Sequence, residues 1–222
     1  MEGLEANAYW STGRCRECGQ QTRHLRALQE IAQHSEVTIP LGHSGNIGWA
    51  AEHPGTIITF DGGAREVRGH KVAAGAAIHW EHSLGGEWAA RSTCTAALPY
   101  QVDSQMSEAY GALMALHLLA DIDTPHHRVR ICGDNLGVIR YCAGTGRARR
   151  PELHDVLDQA LGEAAARGIA ITWEAVRRRH NTGADRAATA GCTHASGIAE
   201  EGGVDLRIRK HRGASWDDPA FQ

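Results

Sequence analysis

The hydrophobic pattern of this chain changes period near residue 104, and that change confines it to a mixed α/β architecture. Upstream lie three short runs, TIITFD at 56–61, VAAGAAIHW at 72–80 and GEWAARSTCT at 86–95, separated by brief glycine-containing stretches. Apolar or alternating runs spaced this closely are joined by turns rather than by crossover helices, so they predict an antiparallel meander. Gly62-Gly63 reads as the turn that closes the first run. Downstream, Met106, Tyr110, Leu113, Met114, Leu116, Leu118 and Leu119 fall at helical spacing, with Ser104 or Ser107 as the cap and Glu108 in the first turn.

The rest of the pattern alternates strand and helix. VRICGD at 129–134 reads as a strand and NLGVIRYC as a helix; Pro151 opens a further helix that stops at Gly168. IAITWEAV at 169–176 alternates like a fifth strand, and a last helix runs from about Thr182 to Ala190. The expected fold is therefore a five-stranded mixed sheet, antiparallel in one half and parallel in the other, flanked by helices. Residues 1–55 read as an appendage, with a helix from Thr22 to His34 and a glycine-rich linker ending in Pro54-Gly55. Residues 56–191 form the main domain, and 192–222 are expected to be a flexible basic tail.

A length of 222 residues and 42% hydrophobic content suffice for one domain with a real core. No apolar run follows a basic start, and none approaches the roughly 20 residues of a membrane span. Cysteines at 15, 18, 94, 132, 142 and 192 are too scattered for a secreted disulfide framework. The expectation is a soluble intracellular protein, cytoplasmic or nuclear, with reduced thiols. A net charge of -3 exerts no global pull on nucleic acid. Three local clusters are basic: Arg147, Arg149 and Arg150; Arg177, Arg178 and Arg179; and Arg207, Arg209, Lys210 and Arg212. Each is either a solvated face or a local contact.

Asp61, Glu108, Asp134 and Asp185 each belong to a different segment: a strand end, a helix start, a second strand end and the start of the last helix. Taken singly they are a turn former, a helix N-terminal charge, a cap and a surface acid. Brought together, carboxylates at strand tips repel unless a cation lies between them. Carboxylate oxygens suit a hard divalent ion where His or Cys would not.

The order FDGGAR, SEAYGALMAL, CGDN and NTGADRAA resembles the ribonuclease H family, type 1 enzymes and reverse-transcriptase-associated domains, over roughly residues 56–191. Val176, Arg178, Asn181, Ala184 and Asp185 match the V-x-R-x-x-N-x-x-A-D form of many retroelement and plant-type members. The resemblance implies a two-metal endonuclease that uses Mg²⁺ or Mn²⁺ and cuts the RNA strand of RNA/DNA hybrids. In that scheme Asp61 bridges both ions, Glu108 and Asp134 flank it, and Asp185 completes the second ion's shell. It also implies that Gly62, Gln105, Asn135, Arg178 and Asn181 contact substrate, the amides reading the 2′-hydroxyl. Ordinary capping is the competing role for Gln105 and Asn135. A reverse transcriptase in the same or a parent polyprotein is the implied partner.

The chain departs from the family in several places. The loop after the first Asp is AREVRGHKVAAG, with Arg65, Arg68, His70 and Lys71 where the family has Asn and Pro. The long loop carrying a mobile His is missing, which leaves His180 as the candidate for that role or as a structural residue. His180 through Asp185 also satisfies the H-x-x-x-x-D pattern of DEDDh 3′–5′ exonucleases, although Gly63 stands where those enzymes carry Glu. A catalytically idle, nucleic-acid-tethering domain is a further alternative. Finally, Cys15 and Cys18 have zinc-knuckle spacing, with His24, His34 or His43 to complete a Zn²⁺ site, or else form a redox or incidental pair.

Overall fold

The computed structural model describes residues 36–38, 56–82, 88–121, 128–145, 157–158, 161–162, 165 and 169–212. Its strands are β1 (Glu36–Thr38), β2 (Thr56–Val67), β3 (His70–His82), β4 (Trp88–Leu98), β5 (Arg128–Gly133), β6 (Ala170–Ala175) and β7 (Arg207–Arg212). They form one sheet in the order β1-β7-β4-β3-β2-β5-β6. β2, β3, β4 and β7 pair antiparallel, whereas β5 and β6 continue in parallel from β2, and β1 runs parallel to β7. The helices are α1 (Ser104–Asp121), α2 (Leu136–Cys142) and α3 (Thr182–Glu200), with a short 3₁₀ turn at Arg178–His180. Between α2 and β6, Leu157, Asp158, Leu161, Gly162 and Ala165 are helical, within the span expected from Pro151 to Gly168.

Alternation along the strands sorts the core into two layers. Ile58, Phe60, Ala73, Ala77 and Cys94 face α1 and pack on Tyr110, Leu113 and Met114. Ile57, Ala76, Ile78 and Trp80 face the other way, onto Ala187 and Ala188 of α3, and farther along Val72 and Ala74 meet Cys192, Ala195 and Ile198. Both faces of the central strands are thereby buried, as their near-continuous apolar composition requires.

The structure corrects several expectations. Asp61 lies within β2 rather than at its end: Gly62 and Gly63 go on pairing with Gly75 and Ala74, and the turn comes at Arg68 and Gly69, both with positive φ (50° and 79°). Among the described residues the sheet has seven strands rather than five, because β1 and β7 extend its β4 edge. Part of the segment read as a flexible basic tail, 192–222, is ordered. α3 continues to Glu200 and β7 pairs with β4. Gly191 lies inside α3; a Cβ there would lie 2.7 Å from that of Ala74, so the glycine serves close approach. Beyond the helix end at Glu200, Gly202 takes a positive φ (75°) and Gly203 N–H returns to the Ile198 carbonyl at 2.8 Å, a glycine C-terminal cap.

The Cys15, Cys18 and His24 zinc reading, and the Arg147, Arg149 and Arg150 cluster, lie outside the described residues. No described helix is long and apolar enough to cross a membrane.

Candidate metal centre

α1 starts one residue after Asp103, whose carboxylate accepts from the Met106 backbone N–H at 2.7 Å. Asp103 is thus the N-cap, not Ser104 or Ser107, and Glu108 sits in the second turn rather than the first. That extra turn sets Glu108 against the middle of β2. The approach is close because glycine occupies both sides of the contact. A Cβ on Gly62 would lie 2.1 Å from the Glu108 backbone nitrogen, and one on Gly111 would lie 2.4 Å from the Asp61 carbonyl oxygen. Gly111 was missed by the sequence reading; its signal is a lone glycine inside an otherwise strong helical pattern.

Asp134 follows β5 directly, so the parallel pairing of β5 with β2 brings it beside Asp61. The result is a cluster in which ligand oxygens of Asp61, Glu108 and Asp134 all lie within 4.8 Å of one another. Burial, followed by Asp134 and Asp185, pushes the Asp61 carboxyl up to about 8. Burial, followed by Asp61 and Asp134, pushes Glu108 up to about 9. In both cases the Gly62 backbone N–H and Arg178 oppose the rise without cancelling it. Glu108 Oε2 is buried with no hydrogen-bond partner. Three carboxylates this close, with a lone pair left unmet, fit a hard divalent cation.

Asp185 stands outside that group of three. It lies in the first turn of α3, and its carboxylate accepts from the Arg178 guanidinium at 3.3 Å. Asp61 and Asp134 add to Asp185 in holding Arg178 above its usual value, so this arginine faces the acids. Asn181, read as a substrate contact, has a different position. It is 1% exposed, and its side-chain N–H donates to the Phe60 carbonyl at 2.8 Å, tying the start of α3 to the residue before Asp61. His180 closes the 3₁₀ turn, where its Nε2 accepts from Arg179 Nε at 3.2 Å.

Asn135 caps α2, its side-chain oxygen accepting from Gly137 and Val138 N–H at 3.0 and 3.2 Å. Gln105 lies beside it: a Cβ on Gly137 would be 3.2 Å from Asn135 Oδ1 and 3.6 Å from Gln105 Nε2. The two amides and the acid cluster therefore share one end of the sheet.

No protein-family description and no curated protein matches the sequence. Solved structures do. The N-terminal RNase H domain of Rv2228c from Mycobacterium tuberculosis, solved as a fusion with maltose-binding protein, is 22% identical with a TM-score of 0.52, covering 65% of this chain and 97% of that one. RNase H1 from the halophilic archaeon Halobacterium salinarum NRC-1 is 22% identical with a TM-score of 0.46, covering 61% and 96%. LC11-RNase H1, isolated from compost by a metagenomic approach, is 18% identical with a TM-score of 0.48, covering 64% and 97%.

Proposed function

We propose that this chain, built on the ribonuclease H fold, is a divalent-metal-dependent nuclease that hydrolyses the RNA strand of RNA/DNA hybrids. The observation that carries this reading is the convergence of Asp61, Glu108 and Asp134, from β2, α1 and the end of β5, to within 4.8 Å. Such a cluster costs stability unless a cation relieves it, and Gly62 and Gly111 set α1 close enough to β2 to build it.

Asp61, Glu108 and Asp134 would hold Mg²⁺ or Mn²⁺, with Asp185 as the reserve ligand beside them. The bound ion supplies Lewis acidity toward the phosphate and neutralises the acids. The protein's own contribution is positional. Asp61 is fixed by its pairing with Ala76 of β3, Glu108 by the glycine contact, and Asp185 by Arg178, whose charge also draws the anionic backbone toward the acids. Gln105 and Asn135 present amide groups next to the site, suited to reading the 2′-hydroxyl that distinguishes RNA from DNA. Asn135 retains its second amide atom for this while capping α2.

A labelled RNA/DNA hybrid incubated with Mg²⁺ or Mn²⁺ tests the reading. Wild type should cut internally within the RNA strand, and Asp134→Asn should lose roughly 100-fold or more in rate with its fold retained. Undiminished cleavage by Asp134→Asn rejects the site. Removal of nucleotides singly from a 3′ end identifies an exonuclease instead, and hybrid binding without cleavage identifies an idle tethering domain.

A further inference from the structure

β7 carries a basic cluster that the acid site does not use. Strand register places it: Asp61 pairs with Ala76, Ala76 with Thr95, and Thr95 with Arg209. Directly opposed residues share a sheet face, so Arg209 lies in the same row and on the same face as Asp61, three strands and roughly 14 Å away. α3 packs over β2, β3 and β4 between them. The acids thus stand on one flank of the helix and the cations on the other.

Arg207 and His211, two residues either side of Arg209, share its face, and His194 reaches them from α3. Burial, then Arg209, Arg207 and His211, push His194 down to about 4. Burial and Arg207 likewise lower Arg209. His194 Nε2 is buried without a hydrogen-bond partner. Among the described residues no carboxylate pairs with Arg207 or Arg209. Cations that crowd one another with no carboxylate between them among the described side chains are the mirror image of the acid cluster, and they are relieved by an anion.

We propose that Arg207, Arg209 and His194 form a second contact for the nucleic-acid backbone, separate from the acid site and gripping phosphates along the β7 flank of α3. Arg207 and Arg209 recur at about 6.8 Å along the strand, a spacing that suits successive phosphates of one chain better than a single small anion. The proposal rests on the nuclease reading only for the identity of the ligand.

The test uses the full chain without metal, so that labelled hybrid binds but is not cut, with anisotropy followed across a salt series. Replacing both residues (Arg207→Gln with Arg209→Gln) should weaken binding about tenfold and lower the slope of log affinity against log salt by about 2, leaving kcat at saturating hybrid unchanged. Arg207→Glu, at an exposed position, should weaken binding at least as much. Unchanged affinity and slope, in a protein that still cleaves hybrid with metal, overturn the contact and leave the nuclease reading standing. Wild type that neither binds nor cuts overturns both. His194 ring resonances that shift with inorganic phosphate but not with hybrid assign a small-anion site and overturn the backbone contact.

Discussion

The Cβ that Gly62 lacks would lie 2.1 Å from the backbone nitrogen of Glu108, well inside van der Waals contact. The obstacle is helix backbone, which cannot rotate away. Gly62→Ala is therefore expected to lift α1 from β2, cost about 1–3 kcal/mol of stability, and abolish tight Mn²⁺ binding by separating Glu108 from Asp61. Thermal unfolding with a Mn²⁺ titration checks this; wild-type affinity in a folded Gly62→Ala protein would show that the contact does not set the acid geometry.

Asn181 holds the Phe60 carbonyl from the start of α3. Asn181→Ala strands a buried acceptor and is expected to cost about 1–3 kcal/mol. Because the Asp185 N–H bonds to the Asn181 carbonyl at 3.0 Å, the same change should loosen Asp185 and lower kcat more than it raises KM. Asn181→Asp, similar in size but lacking the donor, should reproduce the loss; steady-state kinetics on both variants decides between a positioning role and direct substrate contact, which would raise KM instead.

Metal-free stability should depend on pH through the acid cluster. Asp61 and Glu108 are pushed up to about 8 and about 9 in the folded protein. In the unfolded chain such carboxyls ionise near pH 4. The folded state then holds more protons than the unfolded one across the intervening range, so stability falls as pH rises through it. His79 and His194, both pushed down to about 4 chiefly by burial, act with the opposite sign, but only below the usual histidine value of about 6.5. Between about pH 7 and about pH 9 the acids dominate, and Tm of the metal-free protein should drop. Mg²⁺ should reverse the drop and Asp61→Asn should flatten it. A flat wild-type profile by calorimetry would contradict the retention of protons by these buried acids.

Capping by Asp103 makes a smaller prediction. Asp103→Ala should cost about 1 kcal/mol, while Ser104→Ala leaves stability near that of wild type. Equal effects in denaturant unfolding would return the cap to Ser104.

Much of this was legible in residue order. Period-2 runs and helical spacing placed β2, β3, β4, α1, β5, α2 and β6, because each buries a face whose apolar residues repeat at the period of its own backbone. The acids were legible for the same reason: a charged residue that interrupts or abuts such a run calls for an explanation. Gly62 was misread: it looks like a turn in one dimension, because a missing side chain signals flexibility and close approach alike, and only the neighbouring helix backbone distinguishes the two.

What the sequence by itself determined is local: which segments are strands or helices, and which carry carboxylates, since propensity and periodicity act over a few residues. Tertiary structure alone decided which carboxylates meet. It joined Asp61, Glu108 and Asp134, left Asp185 on Arg178, buried Asn181 against Phe60, and turned a charged tail into β7 in register with the row of Asp61. Those outcomes depend on helix-to-sheet distance and strand register, which arise from packing between residues far apart in the chain.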